Sequence, residues 1–151
     1  MIKNFFIIIV TTFFLNNCGY SPMYSKNFDK KFNIELVSFD GDREINNAIK
    51  YNFKRYNNNE SGLKILIITS SSYTKSSGTK DLAGDTQSYN ISATVNFKVS
   101  IGEIEKVYNF NEDSIINNLD SQLDEATNEK NIKKNFGILF SDRLIFELSK
   151  I

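Results

Sequence analysis

The chain contains no histidine and no tryptophan, and only one cysteine and one proline among its 151 residues. Without histidine, neither a thiol–imidazole pair nor a serine–histidine relay can be built. With a single thiol and no imidazole, a zinc cluster has no usual ligands. One cysteine also leaves no internal disulfide, so stability must come from the apolar core. No glycine-rich loop of the phosphate-cradling type is present. Basic and acidic residues balance at 18 each, so there is no global cationic footprint for nucleic acid. Acidic pairs such as Asp120 and Asp124 lie where a helix begins, a place acids favour for electrostatic reasons alone. These absences point away from an enzyme and from any cofactor, and towards a binding or assembly protein.

The N-terminus is the most informative segment that is present. Phe5 to Leu15 is uncharged and strongly apolar, Lys3 precedes it, and Leu15-Asn16-Asn17-Cys18 closes it. A spanning helix needs about 20 apolar residues, and this run is shorter. A buried helix is an alternative, but apolar side chains surround the whole circumference and leave no solvent stripe. A plain secretory signal is another; it would end in small residues rather than at the lone cysteine. The order of charge, apolar run and cysteine predicts a signal peptide over 1–17 and lipidation at Cys18, although Asn17 stands where a small residue is usual. Acyl groups there would hold the chain at a membrane without spanning it.

Residues 18–31 read as a lipidated tether, with Gly19, Ser21, Pro22, Ser25 and Asn27 as loop formers. Tyr20, Met23 and Tyr24 are interleaved, either packed on the domain or held for a partner. Residues 32–151 then form one domain. Phe32 to Phe39 reads as a strand. Asp40-Gly41-Asp42 offers a turn and a helix cap, followed by Ile45, Ala48, Ile49, Phe53 and Tyr56 at helical spacing. Leu63 to Thr74 reads as a strand that starts apolar and runs out past the core. Lys75 to Asp81 reads as a mobile tip. Tyr89 to Ile101 alternates apolar and polar residues over its whole length, the signature of a sheet covered on one side. Gly102-Glu103 suits a hairpin turn, with a return strand towards Ile116. From about Asp120 a helix runs to the end, its apolar arc including Phe136, Leu139, Phe140, Leu144, Phe146 and Leu148, with Arg143 and Glu147 spaced to pair. Gly137 suggests close packing against another backbone. The expected class is α+β, a two-layer sandwich of four mostly antiparallel strands with two helices on one face.

Cys18-Gly19-Tyr20-Ser21-Pro22-Met23-Tyr24 resembles the opening of mature LPS-assembly lipoproteins of the LptE family, where Cys-Gly-aromatic-x-Pro-Leu-Tyr is common and Met23 stands for the leucine. Gly41-Asp42-Arg43 is similar to the Gly-Arg pair that often opens the first helix there, with one residue inserted. The signal, the size and the element order are similar as well. The resemblance implies a lipid-anchored protein in the periplasmic leaflet of a Gram-negative outer membrane. It further implies a partner, the LptD β-barrel, whose lumen the lipoprotein plugs and whose assembly it assists, and a shared role in inserting lipopolysaccharide into the outer leaflet. Lipopolysaccharide phosphates would meet basic residues near a sheet tip, for which Lys75, Lys80 and Lys98 are the candidates. An auxiliary lipoprotein of a lipid-transporting ABC system and a structural outer-membrane lipoprotein are the alternatives.

Overall fold

The computed structural model describes residues 32–57 and 62–151. The expected signal peptide, Cys18 and the tether lie outside the described residues. The element order is β1 (Phe32–Gly41), α1 (Arg43–Phe53), a single 3₁₀ turn (Lys54–Tyr56), β2 (Leu63–Ser77), β3 (Ser88–Ile101), β4 (Ile104–Asn117) and α2 (Gln122–Leu148). The strands make one sheet in the order β1-β2-β3-β4, with β1 parallel to β2 and the other two pairs antiparallel. Both helices lie on the same face. The α+β two-layer sandwich expected from the sequence is therefore the observed architecture.

Parity along the strands decides what each face carries. On β3, Ile91, Ala93, Val95, Phe97 and Val99 are buried beneath the helices. Ile65 and Ile67 of β2 and Phe32 and Ile34 of β1 join them. From the helix layer come Ile45, Ile49, Phe53, Phe140, Leu144 and Leu148. Phe97 sits at the middle, edge-on to both Phe53 and Phe110 at 6.1 Å, a geometry that ring quadrupoles favour.

Local chemistry explains the element boundaries. Asp42 caps α1 by accepting from the backbone N–H of Glu44 and Ile45 at 2.9 and 3.0 Å. Ser121, rather than Asp120, caps α2. Gly102 has φ of 59° while Glu103 stays at negative φ, as a type II′ hairpin turn requires. Gly41 has φ of 93°, and a β-carbon there would collide with the Ser71 carbonyl. Only glycine allows β1 to turn into α1 this close to β2.

Three expectations need correction. β2 does not leave the core after Ile68: Thr69 and Ser71 are buried. Ser71 is accommodated because its hydroxyl pairs with the Asn46 amide oxygen at 2.9 Å, while Asn46 Nδ2 donates to the Asp40 carbonyl at 2.9 Å. Arg143 does not pair with Glu147. It reaches down to Glu112 on the helix-side face of β4 at 2.6 Å, and Glu147 takes Lys150 instead. The buried stripe of α2 is Phe136, Gly137, Phe140, Ser141, Leu144, Ile145 and Leu148. Phe146 points outward, and Ile145 takes the inward position because the stripe follows steps of three and four around α1.

Candidate functional site

Neither described helix covers the second face of the sheet. Cross-strand register sets its side chains in rows: Ser70, Asn96 and Asn109; Ser72, Thr94 and Asn111; Thr74, Ser92 and Asp113. Asp113 is the only charge in that block. Neighbouring amides and hydroxyls bond to one another across the strands. Asn109 Nδ2 donates to Asn96 Oδ1 at 2.6 Å, and Thr94 Oγ1 donates to Asn111 Oδ1 at 2.8 Å. The result is a broad hydrogen-bonding carpet, uncharged except at Asp113. Towards the β3–β4 turn it changes character. Ile68 and Val107 are exposed there, flanked by the ion pairs Lys64–Glu35 at 2.8 Å and Lys98–Glu105 at 3.0 Å.

The opposite end of the sandwich, under the first turns of α2, holds a compact charge cluster. Lys75 bonds Glu125 at 2.5 Å and Glu129 at 3.2 Å. Lys133 bonds Glu129 and Asp42, both at 3.1 Å. Each ammonium also lies over an aromatic face, Lys75 at 4.1 Å from the Tyr89 centroid and Lys133 at 4.2 Å from that of Tyr73, within cation–π range. Burial opposes the charge on both lysines, but their hydrogen-bonded carboxylates win and hold both ammoniums above the ordinary lysine value. Burial likewise pushes Glu129 up, yet Lys133 and Lys75 together hold it below the usual carboxylate range. Burial, with Glu129 adding to it, raises the Tyr73 phenol.

The three candidate lysines therefore do not converge. Lys75 belongs to β2 and faces the helix layer, already neutralised. Lys98 is on the open face, and by register lies seven residues away along the strands, roughly 23 Å. Lys80 occupies the β2–β3 loop, exposed, and forms no ion pair with a described residue. That loop is tied down rather than loose. Asp81 accepts from the N–H of Ala83 and Asp85 at 2.9 and 2.8 Å, Gln87 donates to its other oxygen, and Lys80 bridges to Thr86 through the backbone. The sequence reading missed the cluster of Asp42, Glu129 and Lys133. Its one visible signal was the four-residue spacing of Glu129 and Lys133. Among the described residues, no helix is long and apolar enough to cross a membrane, and no acidic group is placed to hold a metal ion.

No protein-family model matches the chain, and no curated protein matches its sequence. Solved structures do match its fold. Rare lipoprotein B from Shewanella oneidensis superposes with a TM-score of 0.58 at 13% identity, over 77% of this chain and 95% of that one. A minor lipoprotein from Acinetobacter baumannii gives 0.55 at 11% identity, over 80% and 91%. Lipoprotein B from Nitrosomonas europaea gives 0.55 at 12% identity, over 83% and 88%. The four-stranded, two-helix sandwich described above is thus the fold of these lipoproteins.

Proposed function

We propose that this chain is a lipid-anchored outer-membrane protein of the LptE type, which plugs an LptD-like β-barrel, assists its assembly and helps insert lipopolysaccharide into the outer leaflet. It acts by contact and positioning and performs no catalysis. The lipoprotein part of this reading rests on the apolar leader ending at Cys18 and on the shared fold of proteins named as lipoproteins.

The observation that carries the plug is the open sheet face. A barrel lumen is lined by water and by alternating polar side chains. A neutral surface of serine, threonine and asparagine can exchange hydrogen bonds with such a wall at every row. Across the Ser70 and Ser72 rows it does so without burying unpaired charge, the costly alternative. Of the lysines considered for lipopolysaccharide phosphates, Lys80 is the one whose ammonium no described carboxylate neutralises, and it is our first choice. Lys98 can contribute by leaving Glu105. Lys75 stays with its glutamates.

The test is a mild-detergent pull-down from outer membranes with tagged wild type and Cys18→Ala, with mass spectrometry of what co-purifies. A large barrel recovered in near-equal amount with wild type supports the plug. Inner-membrane transporter components, or no partner, overturn it in favour of an auxiliary or structural lipoprotein. Thr94→Lys with Asn96→Glu, placed in the carpet, should weaken barrel recovery while leaving the fold intact.

A further inference from the structure

β1 and α1 do not close on each other along their full length. Between them runs an open groove of about 510 Å³, in the size range of sites for small ligands. The buried Ile34 and Phe53 form its floor, Leu36, Phe39 and Tyr51 give it apolar walls, and Asn47 and Asn57 also line it. A bulge makes it. The pairing of β1 with β2 jumps from Leu36 to Ser38, leaving Val37 as an extra residue. Beyond that point the parity of β1 reverses, so Phe39 aligns with the buried Thr69 and turns to the helix side. With strict alternation Phe39 would lie on the open face, and the groove would lack its outer wall.

The rim is charged on one side only. Lys50 in the last turn of α1 and Lys54 at the start of the 3₁₀ turn both border the groove, and Lys50 lies 5.9 Å from the Phe39 ring centroid. Neither forms an ion pair with a described residue. Glu35, the one acid on the rim, is neutralised by Lys64 at 2.8 Å. The groove thus joins an apolar trough to two cations that no described carboxylate neutralises.

The geometry points to a binding site for one acyl chain of an anionic membrane phospholipid, the chain lying along Leu36, Phe39 and the exposed Tyr51 ring and the phosphate meeting Lys50 and Lys54. An acyl chain asks for no hydrogen bonds, which suits a trough with apolar walls. An added peptide strand is disfavoured, since the bulge at Val37 interrupts the ladder it would need along β1. The site is independent of the barrel-plug reading and lies on other elements.

The experiment places the full wild-type chain in phosphatidylcholine nanodiscs doped with a phosphatidylglycerol that carries a diazirine in its acyl chain. A parallel set carries the same photoreactive chain on phosphatidylcholine. Labelled peptides within residues 34–57 are mapped by mass spectrometry. The site predicts labelling centred on Phe39 and Tyr51, stronger with the anionic lipid. It also predicts about a tenfold fall in Lys50→Glu/Lys54→Glu. A second variant, Asn47→Trp, blocks the mouth from an exposed helix position without touching the core or the charges, and should abolish the label while far-UV circular dichroism stays unchanged. Equal labelling by the two lipids, or labelling that survives Asn47→Trp, overturns the proposal. Recovery of a barrel in the pull-down bears on neither outcome.

Discussion

Gly137 of α2 faces the Ile45 carbonyl of α1 so closely that a β-carbon would come within 2.6 Å of that oxygen and 2.7 Å of Ala48 Cβ. Glycine in a helix interior costs about 1 kcal/mol relative to alanine, and here close helix packing offsets that cost. Ser141, one turn on, continues the contact by accepting from Asn52 Nδ2 at 2.6 Å. Gly137→Ala should therefore lower stability by about 1–3 kcal/mol, the usual range for overpacking. Urea unfolding of the two proteins measures it. A rise in the midpoint would show that α1 and α2 can part without loss.

Thr69 is buried on β2 with its hydroxyl unpartnered among apolar neighbours. An orphaned polar atom costs about 1–3 kcal/mol in desolvation. Thr69→Val keeps the branched shape and removes that atom. Thermal unfolding should show a gain of about 1 kcal/mol, a rise of a few degrees. No change would mean that the hydroxyl is solvated in solution.

Asp42 performs two tasks with one carboxylate. One oxygen caps α1, and the other binds Lys133 of α2. Asp42→Asn preserves an amide oxygen for the cap but loses the ion pair, whereas Asp42→Ala loses both. The alanine variant should be destabilised by about 0.5–2 kcal/mol, the usual cost of a lost cap. The asparagine variant should fall between it and wild type. Equal losses in the two would assign the whole effect to Lys133.

Acid should loosen the charged end first. Glu129 is held below the ordinary value of 4.5, so the unfolded chain binds its proton more readily than the folded one. Its contribution is complete above that value and is lost as pH falls through the lower folded one. Lys75 and Lys133, held above 10.5, contribute fully below 10.5 and lose that only as pH rises through their folded values. Between these limits the cluster adds no slope to stability. Glu129→Gln should flatten the acid limb of a stability–pH curve, with amide exchange in residues 122–135 as the local readout. An unchanged acid limb would place the titrating group elsewhere.

Much of the fold was legible because it follows from local pattern. The alternation from Tyr89 to Ile101 named its own buried face, and Asp42 before an apolar helical stripe named the start of α1. What stayed hidden depends on register or on distant partners. The bulge at Val37 exists only once β1 is laid on β2, so the role of Phe39 could not be read from neighbours in the chain. The inward turn of Ile145 over Phe146 depends on where α1 crosses. Lys75 looked like a tip lysine because its glutamates lie fifty residues on, across a helix that is polar there and held by charge rather than by apolar contact. The neutral rows of β2, β3 and β4 were half visible: the alternation was plain, but the alignment of Ser72, Thr94 and Asn111 needed the register.

The parallel pairing of β1 with β2 has a consequence for the order in which the chain is made. β2, β3 and β4 join through neighbouring hairpins, so each can pair as soon as it appears. β1 and α1 are delivered first, yet β1 has nothing to pair with until β2 has followed. A chain emerging N-terminus first must carry its apolar opening strand unpaired until α1 and β2 have both followed, an interval that β3 and β4 do not face.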